Sequence, residues 1–439
     1  MSSARSDLTA EGRIPGTIWV LAAVAFAVAL GFGVVAPAIP LFAREFGVGK
    51  TAIGLAVSVF AFFRFVSALG TGSLVDRFGE RRMLVAGLLT VAITTGTAPL
   101  AQHYALFVAL RGVGGIGSAA FTVSATTLVL RLAPSQVRGR ATNRYQSGFL
   151  FGGVMGPGIG GPLTDIDPRM PFFFYAGTLV VASVVALVGL RRVDTSRTAG
   201  RPVTKDPDAG AEAGTAPPAQ VGPEGAEAIG STSSPGPAAK PPTRLWPEVR
   251  SLLAQRAYLA AIVVNFGTGW TLFGVRNSLV PLYVVEDLGL RATFTGVALL
   301  VGSAFQAVAL LRAGWFTDVV GRRPAVLLGT SLATVAMGML ALPGHLVALL
   351  VSSAVLGLAA SLLGSAPSAI VGDISPGRSG RSVALFQMSS DMAAVIGPLV
   401  AGAVADAYST RAAFAVTAAV MSIGIVAGLR MPETRRTPS

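Results

Sequence analysis

Long apolar stretches alternate with short polar segments along all 439 residues of the chain. A helix that crosses a membrane needs about 20 mostly apolar residues. The pattern predicts twelve such helices, which lie roughly at 17–42, 51–75, 82–100, 104–130, 140–164, 171–190, 253–283, 292–313, 323–342, 345–371, 380–405 and 411–430. The first stretch is too long for the apolar region of a cleaved signal peptide, so it counts as a span. The expected fold class is an all-α polytopic membrane protein with twelve transmembrane helices.

The second half of the chain repeats the first. The segment GSLVDRFGERR at 72–82 matches GWFTDVVGRR at 314–323 with a constant offset of 242 residues. Two further anchors keep an offset of 241, and they are Pro40 with Pro281 and Gly156-Pro157 with Gly397-Pro398. Many secondary transporters are built from internal repeats of this kind. We therefore expect the twelve helices to form two pseudo-symmetric six-helix bundles.

The composition divides the chain into five parts. The two bundles are expected at 17–192 and 250–430, with short cytoplasmic tails at 1–16 and 431–439. Residues 193–249 are rich in Pro, Gly and Ala and hold almost no large apolar residues. Such a segment buries too little surface to offset its ordering entropy, so it is predicted to be a disordered cytoplasmic linker. A regulatory or partner-binding loop is the alternative.

Charge supports a membrane location. Only 13% of the residues are charged, whereas a soluble domain carries about 25%. The net charge of +13 does not gather in one patch, as nucleic-acid binding would require; the arginines concentrate on alternate connections. By the positive-inside rule these connections and both termini are cytoplasmic. We expect a multi-pass monomer in the inner (plasma) membrane, surrounded by lipid, without a nucleic-acid partner. The absence of cysteine excludes disulfides and thiolate metal sites.

Both copies of the repeated segment carry glycines, an acid and arginines at matching places, namely Gly72, Asp76, Arg77, Gly79, Arg81 and Arg82, then Gly314, Asp318, Gly321, Arg322 and Arg323. This pattern resembles the loop signature of the major facilitator superfamily. The resemblance implies a gating motif, because the cluster is thought to latch the two halves in one conformation. Gly72 would let two helices approach closely, and Gly79 would allow the tight turn. The alternative is that the cluster only sets the topology.

The fifth span reads GFLFGGVMGPGIGG and places small residues and a proline at Gly152, Gly156, Pro157, Gly160 and Gly161. This resembles the antiporter motif of the twelve-span drug:proton antiporters, which export their substrates. Asn143 stands where that motif has an upstream glycine. The first span, with PAIP at 37–40, is similar to the first-span signature of the same family. The fourth span, RGVGGIGSA from Arg111, resembles a motif whose arginine is proposed to assist proton movement.

Charges inside spans are functional candidates, because a charge at the bilayer centre costs about 2.5–3.5 kcal/mol. Arg64, Arg111, Arg276 and Asp391 fall within predicted spans. Asp391 is the acid nearest the middle of a span, and burial raises a carboxyl pKa, so it is predicted to couple transport to protons together with Arg111. Alternatively, Asp391 is a structural partner of an arginine such as Arg64. The arginines themselves either bind an anionic substrate or hold helices together.

The resemblance also implies a central cavity lined by spans one, four, seven and ten, with contributions from two, five, eight and eleven. The candidate substrate contacts are therefore Phe32, Arg64, Tyr145, Phe149, Asn265, Trp270, Asn277, Gln306 and Gln387. Aromatic faces offer adaptable apolar contact, and amides orient a ligand. For each aromatic the alternative is packing against other helices or lipid.

The expected function is secondary active transport, with proton-coupled efflux of small molecules by alternating access. The partners are a small-molecule drug or metabolite and protons. The alternative is a substrate-specific carrier of a metabolite, a sugar-like compound or an organic anion. An enzyme is not expected: His103 and His345 lack metal-ligand spacing, and the chain has no GxxxxGK[ST] loop. No cofactor and no metal are expected. A sensor or scaffold that has lost transport is the third class considered.

Overall fold

The computed structural model describes residues 15–133, 137–191, 250–374 and 379–435. The predicted linker at 193–249 and the outer parts of both predicted tails lie outside these residues. Within the described parts, twelve long helices follow one another, and they are α1 (Gly16–Arg44), α2 (Lys50–Phe78), α3 (Glu80–Leu100), α4 (Tyr104–Leu132), α5 (Arg138–Ile166), α6 (Met170–Gly189), α7 (Arg256–Asp287), α8 (Ala292–Val319), α9 (Arg322–Ala341), α10 (Leu346–Ile374), α11 (Ser379–Ala407) and α12 (Thr410–Arg430). The all-helical fold class is confirmed, and the predicted spans lie within a few residues of the observed helices.

Turns between helices occur where the sequence provides special residues. Gly79, between α2 and α3, has φ 84°, and Gly321, between α8 and α9, has φ 133°. Residues with a Cβ rarely adopt these angles, which explains a glycine at the same place in both copies of the repeat. The Ser409 hydroxyl accepts a hydrogen bond from the Ala412 amide at 3.1 Å and caps the start of α12.

Eleven of the described helices are long and apolar enough to cross a membrane, and α5 is the long helix outside that set. Its sequence is interrupted by Pro157 and Pro162 and is rich in glycine. A Cβ on Gly148 or Gly152 would lie 2.3 Å or 2.4 Å from a carbonyl oxygen of α1. Because these glycines let α5 lie directly on α1, the helix occupies the place of the predicted fifth span despite its low hydropathy.

Two of the helices are irregular. Regular helix in α1 ends at Val35 and resumes at Ala38, around Pro37, which lacks an amide hydrogen. In α7, the segments Gly269–Val275 and Tyr283–Asp287 have the wider turns of a π-helix. Such insertions rotate the following helical face and occur often at functional sites.

Helices α1 to α6 pack against one another, as do α7 to α12. Helix α2 packs against α11, and α5 packs against α8, so these two crossings join the halves. We call the end of the molecule that carries the Gly79 and Gly321 turns the motif end. The opposite end, with the turns at 45–49, 288–291 and 408–409, is called the sealed end, because hydrogen bonds and ion pairs between the halves gather there.

Candidate functional site

A cavity lies between the two halves, near the middle of the spans. It encloses about 630 Å³ of empty space, partly open to solvent. Its walls come from α1, α2, α4, α7 and α11, and they are formed by Phe32, Ala36, Ile39, Val57, Phe60, Ala61, Arg64, Arg111, Phe273, Asn277 and Ala394. An apolar pocket with a few converging polar groups is the usual form of a small-molecule site.

Four of the predicted site residues meet in this cavity: Phe32, Arg64, Arg111 and Asn277. The breaks in helix geometry help to present them. Phe32 precedes the interruption of α1, and Asn277 follows the wide turn of α7. The irregular segments of α1 and α7 therefore bring one side chain from each half to the wall of the cavity.

Arg111 is the buried cation of the site. Its side chain is held by α2, where Nε donates to the carbonyl oxygen of Ala56 at 3.3 Å. Its guanidinium carbon lies 4.7 Å from the centre of the Phe60 ring, which is a cation–π contact. A second cavity of about 220 Å³ of empty space lies behind it, between Phe60, Thr94 and Phe172, and Arg111 lines this cavity too. The guanidinium thus separates the central cavity from a smaller one inside the first half.

Asp391 and Arg276 occupy different surroundings. Asp391 is half-buried on α11, one turn from Ala394, and does not line the central cavity in this structure. Arg276 donates from Nη2 to the carbonyl oxygen of Leu299 and to the hydroxyl of Ser303, each at 3.1 Å. Arg276 therefore ties α7 to α8, which is the helix-holding alternative for this arginine.

Several other predicted contacts pack inside one half instead. Tyr145 and Phe149 are buried and meet edge to face, with ring centres 5.3 Å apart. The amide of Asn265 donates to the carbonyl oxygen of Phe386 at 2.7 Å, which ties α7 to α11. Trp270 donates to the hydroxyl of Thr417 on α12 at 3.3 Å. These four side chains lie outside the walls of the central cavity in this structure.

The remaining two candidates, Gln306 on α8 and Gln387 on α11, are buried and half-buried respectively and also lie outside the cavity walls. Phe60 and Phe273 were not among the predicted contacts, yet they form much of the apolar wall. The wide turn of α7 moves Phe273 to the cavity, and no sequence signal predicts that turn.

The two copies of the gating motif make the same contact. Arg81 donates to the carbonyl oxygen of Leu187 at the end of α6 (2.9 Å), and Arg323 donates to that of Leu429 at the end of α12 (2.8 Å). The donors and the acceptors both differ by 242 residues, the offset of the repeat. In each half this arginine closes the bundle by joining its third helix to its sixth.

An ion pair beside this contact is inverted between the halves. In the first half the acid Glu80 on α3 pairs with Arg131 on α4 at 2.7 Å. At the equivalent places of the second half, Arg322 on α9 pairs with Asp373 on α10 at 3.1 Å. Arg322 also contacts Asp318 of the same motif at 2.7 Å.

The other motif residues face solvent or open space. Asp76, Arg77 and Arg82 are exposed at the motif end. A Cβ on Gly72 would meet nothing within 4 Å, so the close helix approach expected at Gly72 is not present in this structure. Gly314 lies on α8, one turn before Asp318. This end of α2 is therefore not held against the other half through Gly72.

The antiporter motif on α5 has two faces. Gly152, Gly156 and Gly160 pack against α1 of the same half, where a Cβ would approach carbonyl oxygens within 2.2–2.6 Å. Gly161 instead faces α8, and the carbonyl oxygen of Pro157 lies where a Cβ on Gly296 of α8 would clash. The motif thus builds one bundle and forms part of the contact between the two.

Comparison with known proteins gives the family. The family model described as Major Facilitator Superfamily matches residues 21–279 and 259–439. The chain belongs to this superfamily, whose members are transporters, and it is a multi-pass membrane protein with a drug-efflux-like sequence.

Individual relatives are distant. The chain is 24% identical to "Multidrug resistance protein 1" of Bacillus subtilis (strain 168) over 398 residues, which cover 89% of this chain and 90% of that protein. It is 26% identical to "Quinolone resistance protein NorA" of Staphylococcus aureus over 184 residues, 42% of this chain and 47% of that protein. A solved bacterial homolog of the human lysosomal transporter Spinster, described as inward-facing and unoccupied, has a TM-score of 0.72 at 15% identity and covers 98% of this chain and 100% of that chain.

Proposed function

We propose that this protein exports small molecules in exchange for protons, by alternating access of the central cavity to the two sides of the membrane. The observation that carries the proposal is the cavity between the halves, where Phe32, Phe60 and Phe273 surround two arginines. Aromatic walls accept varied apolar molecules with little demand for one shape. The full-length similarity to a multidrug resistance protein supports export over uptake.

The arginine-rich motif end is proposed to face the cytoplasm, with both termini on that side and the plasma membrane as location. Hydrogen bonds and ion pairs between the halves gather at the opposite, sealed end. The structure then corresponds to an inward-facing state, with the sealed end outside. The division into two bundles joined by a flexible cytoplasmic linker, and a monomeric working unit, belong to the same proposal.

Asp391 and Arg111 are proposed as the proton-coupling residues, and the two motif copies as the gating elements. Asp391 supplies a half-buried carboxyl group within a span, where ionisable side chains are functional candidates. Arg111 supplies a fixed positive charge at the cavity wall. Protonation of Asp391 and binding of a substrate beside Arg111 would then oppose each other through the charges of these two side chains.

The test is solute-dependent proton movement in inside-out vesicles, followed with a pH-sensitive dye and a panel of cationic, neutral and anionic compounds. We expect some compounds to dissipate a preformed gradient, and Asp391→Asn to abolish this effect. The control is Asp167→Asn, because Asp167 lies in a turn and accepts a hydrogen bond from the Arg169 amide of that turn. Full proton-driven transport by Asp391→Asn would remove Asp391 from the coupling role.

A specific carrier of organic anions is the second candidate. Its supporting observation is that Arg64 and Arg111 are the charged residues on the cavity wall. If only anionic compounds move, and Arg64→Gln abolishes their movement, this candidate replaces the multidrug exporter. Normal transport by Arg64→Gln would remove Arg64 from the substrate site.

A further inference from the structure

A carboxylate from one half caps the first turn of a helix in the other half at the sealed end. Asp406, at the end of α11, accepts hydrogen bonds from the backbone amides of Lys50 and Thr51, each at 2.8 Å, and from the Thr51 hydroxyl at 2.7 Å. These amides begin α2 and have no partner within their own helix. The carboxylate also lies at the positive end of the helix dipole, which favours its charge.

The same arrangement occurs a second time with the halves exchanged. Asp165, at the end of α5, accepts hydrogen bonds from the backbone amide of Thr293 at 3.1 Å and from the Thr293 hydroxyl. Thr293 is the second residue of α8. Arg291, just before the helix, lies 3.3 Å from the same carboxylate.

The two contacts are equivalent by sequence. Asp165 and Asp406 differ by 241 residues, and Thr51 and Thr293 differ by 242. These are the offsets that relate the two halves. The internal repeat therefore carries both the carboxylate and its donor threonine at matching places.

Glycines one turn earlier let the carboxylates reach their partners. A Cβ on Gly402 would lie 2.5 Å from the carbonyl oxygen of Lys50, and a Cβ on Gly161 would lie 2.9 Å from that of Thr293. Gly402 and Gly161 each precede their aspartate by four residues. Because the backbones touch at the glycine, the aspartate on the same helical face meets the start of the opposing helix.

The charges around the two carboxylates differ. Beside Asp406, the ammonium group of Lys50 lies 2.7 Å from the Thr410 hydroxyl and 3.3 Å from Glu286. Glu286 also contacts Arg44 at 2.9 Å. Beside Asp165, Arg291 is the neighbouring cation, and its side chain is 79% exposed. More contacts between the two halves therefore surround Asp406 than surround Asp165.

We propose that Asp165 and Asp406 are paired gating residues, which hold the sealed end closed and must both release their threonines before the cavity opens at that end. Release exposes the first amides of α2 and α8 to water, which can replace the lost hydrogen bonds. Closing restores a charge-assisted contact on each side of the pseudo-twofold axis. This proposal uses the alternating access of the proposed function but depends on neither the substrate nor protons.

Distances across the sealed end test the proposal directly. The chain has no cysteine, so Leu100→Cys and Tyr408→Cys introduce the two labels of a spin-labelled pair. Both side chains are exposed, at 66% and 83%, and they lie at this end on opposite halves. Pulsed electron paramagnetic resonance then measures the distance distribution for Asp165→Ala, Asp406→Ala and the double variant, with Asp167→Ala as the matched control.

We expect a long-distance population to appear in each single variant, with the ratio of open to sealed molecules raised about tenfold. The effect should be larger for Asp406→Ala, and in the double variant the two increases should multiply. Asp167→Ala should keep the parent distribution. An unchanged distribution in a folded double variant would overturn the proposal, as would equal opening by the control.

Isosteric changes on the partner side cover the case in which the aspartate variants do not fold. Thr51→Val and Thr293→Val remove one hydroxyl donor each and keep the side-chain volume. They should shift the distances in the same direction by a smaller amount, and no shift in either would also overturn the proposal. Because no substrate is present in these measurements, failure of the gating residues is distinguishable from failure of proton-coupled export in vesicles.

Discussion

Gly54 and Gly296 stand at the two crossings where a helix of one half touches a proline-bearing helix of the other. A Cβ on Gly54 would lie 2.3 Å from the carbonyl oxygen of Pro398, and one on Gly296 would lie 2.4 Å from that of Pro157. These distances are far below van der Waals contact, and the obstructing atoms belong to the backbone. Each site therefore tolerates only glycine while the sealed end is closed.

Replacement of Gly54 by alanine should force this crossing apart. We expect Gly54→Ala to destabilise the sealed arrangement by about 1–3 kcal/mol, as overpacking does in protein cores. The matched control is Gly70→Ala on the same helix, where a Cβ would meet nothing within 4 Å. That control should gain about 0.5–1 kcal/mol from alanine's helix preference. Thermal unfolding in detergent compares the two, and equal stability would contradict the crossing geometry.

The inverted ion pairs give a second prediction for single residues. Glu80→Arg should place a second cation beside Arg131 and cost about 2 kcal/mol in the free energy of unfolding. Adding Arg131→Asp should recover most of this loss, because the first half then carries the charges found at Arg322 and Asp373. Thermal unfolding of the single and double variants measures the recovery.

The control for this swap is an exposed pair. Glu45 lies 3.7 Å from Arg169, and both side chains are largely exposed. Glu45→Arg should change the stability by less than about 1 kcal/mol. If the Glu80 and Arg131 double variant does not regain stability, the pair contributes through the specific orientation of its side chains and not through its charges.

At the scale of elements, the start of α9 depends on a carboxylate that follows α12. Glu433 accepts hydrogen bonds from the backbone amides of Arg322 and Arg323 at 2.9 Å and 3.0 Å. Partial burial raises the pKa of this carboxyl, but hydrogen bonds from Arg435, Arg323, Arg322 and Thr434 outweigh burial and hold the pKa below its usual value. The segment after α12 is thereby fastened to the second gating motif.

This cap should depend on pH in a defined direction. A lowered pKa means that the contact contributes its full stability above the ordinary glutamate pKa of about 4.3 and loses it as the pH falls through the lower folded-state value. We expect fast hydrogen exchange of the first α9 amides in Glu433→Ala, which removes the acceptor, already at neutral pH. The parent protein should lose the same protection only in acid. Equal protection in both proteins at neutral pH would exclude the cap.

The sequence predicted the elements well but their contacts incompletely. Apolar length and loop arginines were enough to find twelve spans, including α5, whose proline and glycine content lowers its hydropathy. They did not predict which aromatic faces the cavity, so Phe149 was chosen and Phe60 was not. In lipid, both the buried and the outer face of a helix are apolar, and the amphipathic stripe that orients soluble helices is missing.

At the scale of the whole molecule, alternating access predicts opposite movements at the two ends. Leu69 and Leu311 are related by the repeat offset of 242, and both are highly exposed in the motif-end halves of α2 and α8. Spin labels at these two positions should approach each other when a transported solute is added. Labels at Leu100 and Tyr408 should then separate. Movement at one end alone would contradict a rigid exchange between two states.

The internal repeat was the most useful signal at this scale. The offset of 241 residues, which relates Pro40 to Pro281, also relates Asp165 to Asp406. The two aspartates were not predicted from the sequence, because a carboxylate near the end of a span is ordinary in a single half. A comparison of polar residues that lie near span ends and are related by the repeat offset would have identified both aspartates. Their contacts with the opposite half could be found only from the structure.

The low hydropathy of α5 has a consequence for how the chain is made. Helices enter the bilayer from the translocon largely according to their apolar character, and α5 is a poor candidate for entering alone. Its glycine-lined face fits α1, which is synthesised first and is among the most apolar spans. Nascent α1 would therefore serve as the docking partner that draws α5 out of the translocon. The first bundle is then completed when α1 recruits α5 into the bilayer, and its six helices do not all insert independently.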